Sequence, residues 1–344
     1  MTRKKIGIIG ATGYTGSELV RILIHHPEVE IVAITSESRK GESFADVHGF
    51  FRGIFDLKLT SIKDIDQHDL DLVFLALPHG VSMDFVKAHA NADYPIVDLS
   101  GDFRLENPET YEAWYKKDHI YKEGFKSAGY GVPELFREEI KDKKLIANPG
   151  CFPTSAILGL APLQANNLIE ESIIVDAKTG VTGAGIKAKE VTHFPNVNDN
   201  FKAYGVTTHR HTIEIEEVMN KLGEGSATVQ FTPHLLPVDR GIIATTYTKP
   251  KKGVDTSKIK EHYEAYYKNE PFIRLVDSSP ELKDVRGTNY CDIFVTYDER
   301  TGNLITISAI DNLVKGAAGQ AVQNMNLLFD WPETTGLNQI PLNP

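Results

Sequence analysis

The sequence has few cysteines, fewer positive than negative charges, and no long apolar run. Only two of its 344 residues are cysteines, Cys151 and Cys291, so no disulfide framework is predicted and a cytoplasmic location is expected. The formal net charge of −10 argues against nucleic-acid or anionic-membrane binding, because those polyanions would repel the chain. No stretch approaches the ~20 apolar residues that span a bilayer. A small anionic substrate remains compatible with this composition, since only the local field of a pocket matters for it.

The first half of the sequence alternates short apolar runs with a helical pattern. The predicted strands are Ile6–Gly10, Val29–Thr35, Asp71–Leu77 and Pro95–Leu99. A helix is predicted over Tyr14–His26. Continuous Val/Ile/Leu strands separated by helices are typical of a buried parallel sheet. Residues 1–148 are therefore predicted to form a Rossmann-like α/β dinucleotide-binding domain.

The pattern changes after about Asn148. A helix is predicted from Pro153 to about Asn166, and a long polar stretch follows the next strand. The later strands alternate apolar and polar residues: Ser172–Lys178, Ala227–Leu236, Gly241–Thr248, Cys291–Tyr297 and Asn303–Ile310. Alternation predicts a mostly antiparallel sheet with one face in water, so residues 149–314 are interpreted as an α+β catalytic and oligomerisation domain. Residues 315–344 are predicted to return to the first domain through a helix over Lys315–Phe329.

A glycine-rich turn follows the first strand and opens the first helix. It reads Gly10-Ala11-Thr12-Gly13-Tyr14-Thr15-Gly16. Glycines let the backbone approach a pyrophosphate, and a helix N-terminus favours the anion. The spacing is GxxGxxG rather than the usual GxGxxG, and a turn needed only for packing is the alternative. The strand–turn–helix setting favours nucleotide binding.

The residues after the second strand indicate which nucleotide is bound. An NAD site usually places a carboxylate there for the ribose 2′-hydroxyl. This chain places hydroxyls and cations there, of which Ser36, Ser38 and Arg39 are the predicted contacts with a 2′-phosphate. Glu37 is a complication for this interpretation, and a solvated loop is the alternative. The pattern favours NADP(H).

Cys151 lies in the segment Asn148-Pro149-Gly150-Cys151-Phe152-Pro153-Thr154. Pro153 suits a first helical turn, so the thiol is predicted at a helix N-terminus, where a thiolate is favoured. The same N–H groups could bind an oxyanion. An inert buried cysteine is the alternative, and that interpretation is adopted for Cys291 in its alternating strand. Cys151 is predicted to be a nucleophile.

A proton partner for this thiol is predicted in Thr208-His209-Arg210-His211-Thr212-Ile213-Glu214. His211 and Glu214 lie three residues apart and would share a helical face, so Glu214 could orient the imidazole. Arg210 would supply a cation for a phosphate or carboxylate. The alternative is a helix start with a threonine cap and solvated charges. No metal site is predicted, because third and fourth zinc ligands are missing.

Taken together, these segments resemble the N-acetyl-gamma-glutamyl-phosphate reductase family, which is related to aspartate-semialdehyde dehydrogenases. The resemblance runs nearly end to end, through the glycine turn, Asp98–Arg104, Asn148–Thr154, His209–Glu214, Phe231–Leu235 and Asp311–Gln320. It implies an NADPH-dependent reduction of N-acetyl-L-glutamyl 5-phosphate to the 5-semialdehyde through a Cys151 thioester, in arginine biosynthesis. It also implies a homodimer or homotetramer.

The resemblance further assigns roles to residues by position. It implies His211 as acid/base with Glu214 behind it, His209 remaining the competing assignment. The implied substrate contacts are Arg104, Asn148 and Arg210, and the implied further cofactor contacts are Asn312 and Gly316, the latter in a segment over the nicotinamide. The chain departs from the family at Ile186, where an arginine is usual. The alternatives are a related reductase of an aspartyl or aminoadipyl phosphate, or a non-catalytic NADP-sensing protein.

Overall fold

The computed structural model describes residues 3–343, and the chain divides into two compact units. The first unit extends to Pro149 and also includes Ala317–Asn338. The second comprises Gly150–Gly316 and the residues from Gln339 onward. Among residues 3–343, no helix combines the length and apolar character needed to cross a bilayer.

The first unit is built on a parallel sheet. Its strands are β1 (Lys4–Ile9), β2 (Val29–Thr35), β3 (Leu72–Leu75), β4 (Ile96–Asp98), β5 (Ala128–Tyr130) and β6 (Leu145–Ala147), in the spatial order β2-β1-β3-β4-β6-β5. The helices before the second unit are α1 (Tyr14–Leu23), α2 (Phe44–Val47), α3 (Ser82–Ala88), α4 (Pro108–Tyr115), α5 (Gly124–Ser127) and α6 (Pro133–Lys141). Every residue of β3 is buried, which explains its unbroken apolar sequence. The turns that follow β1, β2, β3 and β4 meet at one edge, where ligands of such sheets bind.

The second unit contains a mixed sheet. Its strands are β7 (Ile169–Thr179), β8 (Lys202–Ala203), β9 (Thr228–Leu235), β10 (Ile242–Pro250), β11 (Ile273–Leu275), β12 (Cys291–Asp298) and β13 (Asn303–Ile310), in the order β11-β12-β13-β10-β7-β9-β8. Its helices are α7 (Cys151–Ala165), α8 (Phe194–Val197), α9 (His211–Leu222) and α10 (Ile259–Tyr266). The predicted antiparallel pairing holds for most neighbours, but β7–β9 and β11–β12 are parallel. Parallel neighbours need a long crossover, and the polar stretch with α9 supplies it between β7 and β9.

The final helical pattern is divided in two. A π-helical turn covers Val314–Ala318, and α11 (Gly319–Leu328) follows it. The N–H of Gly316 donates to the carbonyl of Asp311 at 2.9 Å, five residues back. Such π-turns occur frequently at functional sites.

Helix α7 is the central helix of the second unit, and it packs against β10, β13, α9 and α10. Pro162 lies inside it and has no N–H, so the carbonyl of Leu158 lacks its helical donor. The hydroxyl of Tyr267 donates to that carbonyl, and the hydroxyl of Tyr263 donates to the next carbonyl, of Gly159. Tyr267 thus supplies the hydrogen bond that Pro162 cannot, and Tyr263 adds one beside it.

Replacing Tyr267 by phenylalanine is expected to lower the free energy of unfolding by about 1–3 kcal/mol, because the Leu158 carbonyl then stays buried without a donor. Urea denaturation measures the change. Tyr266→Phe is the matched control. The Tyr266 hydroxyl makes no hydrogen bond to α7, so its removal should lower the free energy of unfolding by under about 0.5 kcal/mol. Equal losses in the two variants would contradict this role of Tyr267.

Candidate active site

The glycine turn of the first unit joins β1 to α1, and two of its glycines are required by packing. Gly10 has a φ of +80°, and a Cβ there would lie 2.4 Å from the carbonyl oxygen of Ala76. A Cβ at Gly16 would lie 2.4 Å from the carbonyl oxygen of Gly10. At Gly13, the cap of α1, the nearest atom would be 3.7 Å away. The turn is therefore tight within the protein but leaves room beside the helix N-terminus, as an approaching pyrophosphate requires.

Thr12 connects this turn to the end of β2. Its hydroxyl lies 3.0 Å from the hydroxyl of Ser36, and the N–H of Ala11 donates to the carbonyl of Thr35 at 3.0 Å. The predicted contacts Tyr14 and Thr15 are the first residues of α1 and are partly exposed. The hydroxyls expected to contact the cofactor thus lie at the sheet edge and helix N-terminus.

Glu37, the residue that complicated the choice of nucleotide, is held by protein groups. Its carboxylate accepts from the Ser61 hydroxyl at 3.0 Å and from the N–H of Ile62 at 2.7 Å. It therefore caps the 3₁₀ helix Ile62–Gln67, so its position in the chain has a structural reason apart from any ribose contact. This contact fits a 2′-phosphate better than an NAD-type carboxylate site.

The predicted partners of that phosphate lie on the surface. Ser38 and Arg39 are exposed, and the Arg39 guanidinium pairs with Glu42 at 3.3 Å. An exposed ion pair of this kind contributes little to the stability of the folded chain. Arg39 could therefore leave Glu42 for a 2′-phosphate with little loss of stability.

The loop after β3 was missed by the sequence interpretation. The Ala76 carbonyl contacts the glycine turn, and the next polar residue, His79, accepts from the N–H of Gly101 at 2.6 Å through Nδ1. The sequence could have indicated this loop, because it follows a buried parallel strand and must therefore lie at the same edge of the sheet as the glycine turn.

In the second unit, Cys151 is the first residue of α7 and is partly exposed, whereas Phe152 to Gln164 are all buried. Gly150 is the cap of this helix, and its N–H donates to a carboxylate oxygen of Glu214 at 2.7 Å. The thiol therefore lies at the positive end of a buried helix dipole, which favours the thiolate. Neither Cys151 nor Cys291 forms a disulfide.

Glu214 is 1% exposed and anchors Gly150, the residue that precedes Cys151. It belongs to α9, the helix that begins at His211 and packs against α7. The sequence predicted only that Glu214 lies three residues after His211 on one helical face. The structure adds its hydrogen bond with Gly150, which the sequence did not reveal.

The two histidines lie together beside Phe152. Their ring centroids are 4.7 Å apart, and each is 5.9 Å from the Phe152 centroid. Nδ1 of His209 accepts from the N–H of His211 at 3.2 Å. Burial, assisted by the positive charge of Arg210, lowers the pKa of His209 to about 4. His209 is therefore neutral near pH 7, with its proton on Nε2.

Tyr204 is a further group at this site. Burial and the negative charge of the Cys151 thiolate both raise the pKa of its phenol, so the hydroxyl stays protonated. Its ring lies 5.6 Å from that of His209. Nothing in the sequence distinguished this tyrosine, because it lies in an irregular polar stretch.

Arg104 and Asn148 are buried in the first unit and hold the chain just before Cys151. Nε of Arg104 donates to the Asn148 carbonyl at 2.7 Å, and Nη2 donates to the Leu99 carbonyl at 2.8 Å. The Asn148 amide donates to the Ala317 carbonyl at 3.1 Å and accepts from Asn324 at 3.1 Å. These contacts indicate a positioning role, and the substrate contacts expected of both residues stay predictions.

Asn312 makes structural contacts in the second unit. Its side chain accepts from the N–H of Gly241 at 2.8 Å and donates to the Thr182 hydroxyl at 3.0 Å. Ile186, where the family usually has a cation, is half exposed, and Lys187 beside it is exposed. Within residues 3–343, no cluster of three or more histidine, cysteine or acidic side chains is arranged to hold a metal ion.

Comparisons with known proteins match both halves of the chain. Residues 5–143 match the family described as "Semialdehyde dehydrogenase, NAD binding domain", and residues 151–312 match "Semialdehyde dehydrogenase, dimerisation domain". The N-acetyl-gamma-glutamyl-phosphate reductase of Methanocaldococcus jannaschii is 52% identical over 343 residues, covering 99% of this chain and all of the relative. The enzyme of the same name from Bacillus subtilis is 47% identical over 344 residues, with 99% and 100% coverage.

Solved structures show the same fold at low identity. Aspartate semialdehyde dehydrogenase II from Vibrio cholerae, complexed with ASA, has a TM-score of 0.74 at 17% identity and covers 96% of this chain and 99% of its own. Aspartate semialdehyde dehydrogenase with NADP from Candida albicans has a TM-score of 0.71 at 17% identity, with 95% and 99% coverage.

Proposed function

This chain belongs to the semialdehyde dehydrogenase family, in the branch of the N-acetyl-gamma-glutamyl-phosphate reductases, and we propose that it reduces N-acetyl-L-glutamyl 5-phosphate to N-acetyl-L-glutamate 5-semialdehyde. The reaction is a step of arginine biosynthesis, and the cofactor is NADP(H). The observation that carries the chemistry is Cys151 at the N-terminus of the buried helix α7, with Glu214 holding the preceding N–H.

The reaction begins at the sulfur of Cys151. The thiolate attacks the acyl carbon, a C–S bond forms, and the C–O bond to phosphorus breaks with its electrons leaving on inorganic phosphate. A thioester results, and the backbone N–H groups at the start of α7 stabilise the oxyanion that develops on the carbonyl oxygen. The glycine turn, Ser36 and Arg39 would hold the cofactor, which supplies the hydride for reduction when bound. The thiohemiacetal then expels the sulfur and releases the semialdehyde.

His211 is proposed as the group that takes the thiol proton and later returns one to the departing sulfur. The neutral state of His209 supports this choice, because its Nδ1 already accepts a main-chain N–H and its pKa is about 4. With that pKa the ring stays neutral at pH 7, so it keeps its single proton on Nε2 and has no free nitrogen to accept another. His209 is therefore proposed as a hydrogen-bond donor through Nε2, and Arg210 as the cation for the substrate's anionic groups.

Replacing each histidine by asparagine separates these roles. His211→Asn is expected to lower kcat by roughly 100- to 10,000-fold, the usual cost of losing a general acid/base. His209→Asn should lower kcat by about tenfold or less, because a donor remains. Steady-state kinetics of the two variants measure these losses. A larger loss of kcat in His209→Asn than in His211→Asn would make His209 the acid/base and His211 the hydrogen-bond donor.

The substrate is tested by running the reaction in reverse. N-acetyl-glutamate semialdehyde, phosphate and NADP⁺ should give NADPH, with turnover at least about tenfold above that of aspartate or aminoadipate semialdehyde, which differ in chain length. Parallel reactions with NAD⁺ measure the cofactor preference. A preference for another semialdehyde would contradict the proposed substrate. NADPH binding without phosphate-dependent turnover would indicate a sensor.

The chain is further proposed to form a homodimer or homotetramer. Alternate residues of β7 and β10 are buried while their neighbours are partly exposed, so one face of the second sheet is open, and Ile174 on it is 39% exposed. A partner subunit would cover such a face. Light scattering after size exclusion gives the number of subunits. A catalytic thiolate must stay reduced, which supports a cytoplasmic location.

A further inference from the structure

The chain leaves the first unit between Pro149 and Gly150 and returns to it between Gly316 and Ala317. Within the second unit, Cys151 is the second residue after the first crossing, and a Cβ at Gly316 would lie 2.8 Å from the Cys151 Cβ. The spacing of the outgoing and returning segments therefore bears on the position of the thiol. Within the first unit, a chain of side-chain amides holds these two segments together.

Asn148 is the first member of this chain of amides. It directly follows β6 and is fully buried. Its N–H donates to the Asp98 carbonyl at 2.8 Å, and its carbonyl accepts from Nε of Arg104 at 2.7 Å. Its side-chain Nδ2 donates to the Ala317 carbonyl at 3.1 Å. Asn148 thus joins the outgoing segment to the returning segment.

Asn324, on α11, is the second member, and it is also fully buried. Its Nδ2 donates to Oδ1 of Asn148 at 3.1 Å and to the Gly131 carbonyl at 2.9 Å. Gly131 is itself held beside β6, because its N–H donates to the Ala147 carbonyl at 2.9 Å. A Cβ at Gly131 would lie 2.5 Å from Nδ2 of Asn324, so the glycine leaves the space that this amide occupies.

Main-chain carbonyls fix the direction of both amides. A carbonyl only accepts, so the Ala317 carbonyl requires the nitrogen of the Asn148 amide to face it. The Asn148 oxygen then faces Asn324, whose nitrogen must donate to it, and the Gly131 carbonyl requires the same nitrogen. Both hydrogens of the Asn324 amide are used in this way. A flipped amide at either position would place two acceptors together.

Packing alone does not explain an asparagine at position 324. Within the described residues, its Oδ1 is buried and has no hydrogen-bond partner. An unpaired buried oxygen is destabilising, whereas a leucine of similar size would fill the space without one. A buried polar group of this kind requires an explanation, and the hydrogen bond that fixes the Asn148 amide supplies it.

We infer that Asn324 is a positioning residue for Cys151, because it holds the Asn148 amide in the orientation that joins the outgoing and returning segments. Asn324 acts through Asn148 and takes no part in the chemistry. The inference rests on the proposed function, in which Cys151 is the nucleophile, and adds to it a residue of the first unit.

The test compares Asn324→Leu with the unmodified chain by the rate of Cys151 alkylation with iodoacetamide, measured across pH without substrate. Loss of the donor should let the Asn148 amide turn and the segment before Cys151 shift. The thiolate then loses part of its stabilisation, so the midpoint of the pH profile should rise and the rate at pH 7 should fall about threefold to tenfold. Because the nucleophile is misplaced, kcat should fall about tenfold, with KM changed by less than about threefold.

Asn326→Leu is the matched control. Asn326 lies on the same helix, is equally buried, and donates to the carbonyls of Glu333 and Thr335 at 3.0 and 2.9 Å. Its replacement should lower the melting temperature at least as much as Asn324→Leu does. The alkylation profile and kcat should nevertheless stay within about twofold of the unmodified chain. Equal changes of thiol reactivity in the two variants would overturn the inference, because loss of stability alone would explain them.

Asn148→Ala tests the route between the two residues. The double variant Asn148→Ala/Asn324→Leu should alkylate at the rate of Asn148→Ala alone, and additive losses would overturn a role through Asn148. Asn324→Ala removes the same donor without adding bulk, and it gives the comparison again if the leucine variant does not fold. Unchanged thiol reactivity and kcat in a folded Asn324 variant would overturn the role of Asn324 alone. Absence of thiol-dependent turnover in the unmodified chain would instead overturn the proposed function.

Discussion

Alanine at position 151 is expected to lower turnover by roughly 1,000-fold or more, because no other group of the chain can form the thioester. Serine should be nearly as inactive. Its hydroxyl does not ionise at neutral pH, even at the N-terminus of α7, so the helix dipole has no thiolate to stabilise. Two measurements check this expectation, the steady-state rate and the rapid release of phosphate that accompanies acylation.

Cys291→Ala is the matched control for that experiment. Cys291 is fully buried on β12, and its replacement should leave the rate of phosphate release and the number of fast-alkylating thiols unchanged. Turnover in Cys151→Ala within about tenfold of the unmodified chain, or an equal loss in Cys291→Ala, would remove the thioester from the proposed mechanism.

Alanine at Gly316 is expected to lower kcat by about 100-fold, the second largest effect that the structure predicts. A Cβ at this position would lie 2.8 Å from the Cβ of Cys151 and 3.2 Å from its Cα. Neither atom can move without displacing the first residue of α7. The π-turn cannot yield easily either, because the Asp311 carboxylate accepts from the N–H groups of Leu313 and Val314 at 2.8 and 3.1 Å. Cys151 must therefore shift.

The rate of Cys151 alkylation by iodoacetamide, measured across pH, reports this shift without needing substrate. Gly225→Ala is the control, because a Cβ there would meet nothing closer than 3.6 Å. A double-mutant cycle with Cys151→Gly tests the contact itself, since removing the Cys151 Cβ should recover part of the stability lost in Gly316→Ala. Normal thiol reactivity in Gly316→Ala, together with no coupling in the cycle, would show that the two residues do not constrain each other.

The sequence was most informative where one residue type has one physical use. Gly10 and Gly16 could be identified because a turn that lets backbone approach backbone excludes any Cβ, and the structure shows that exclusion at 2.4 Å for both. Cys151 could be placed at a helix start from Pro153 alone. Fold class could be predicted from the strand patterns. A strand with an unbroken apolar run is buried on both faces of its sheet, whereas a strand with an alternating run is buried on one face.

The sequence was least informative where partners come from distant segments. The Glu37 carboxylate complicated the prediction of NADP(H), and only the structure shows that it pairs with Ser61 and Ile62. Tyr204 looked like a loop residue, because nothing local shows that its ring lies 5.6 Å from that of His209. A pattern of three or four residues predicts the face of a helix or strand on which a side chain lies. Contacts between distant segments depend instead on how separate loops return to the sheet.

The two tyrosines that donate to carbonyls of α7 also set the time at which Cys151 reaches its final position. Tyr263 and Tyr267 follow the carbonyls they satisfy by 104 and 109 residues. At usual rates of protein synthesis, roughly 5–20 s pass between the two segments. During that interval the nascent helix keeps the Leu158 carbonyl without a donor at its proline and is free to bend or fray. The Cys151 thiol of a growing chain therefore acquires its final geometry late, once the chain has been made past Tyr267 and most of the second unit is present.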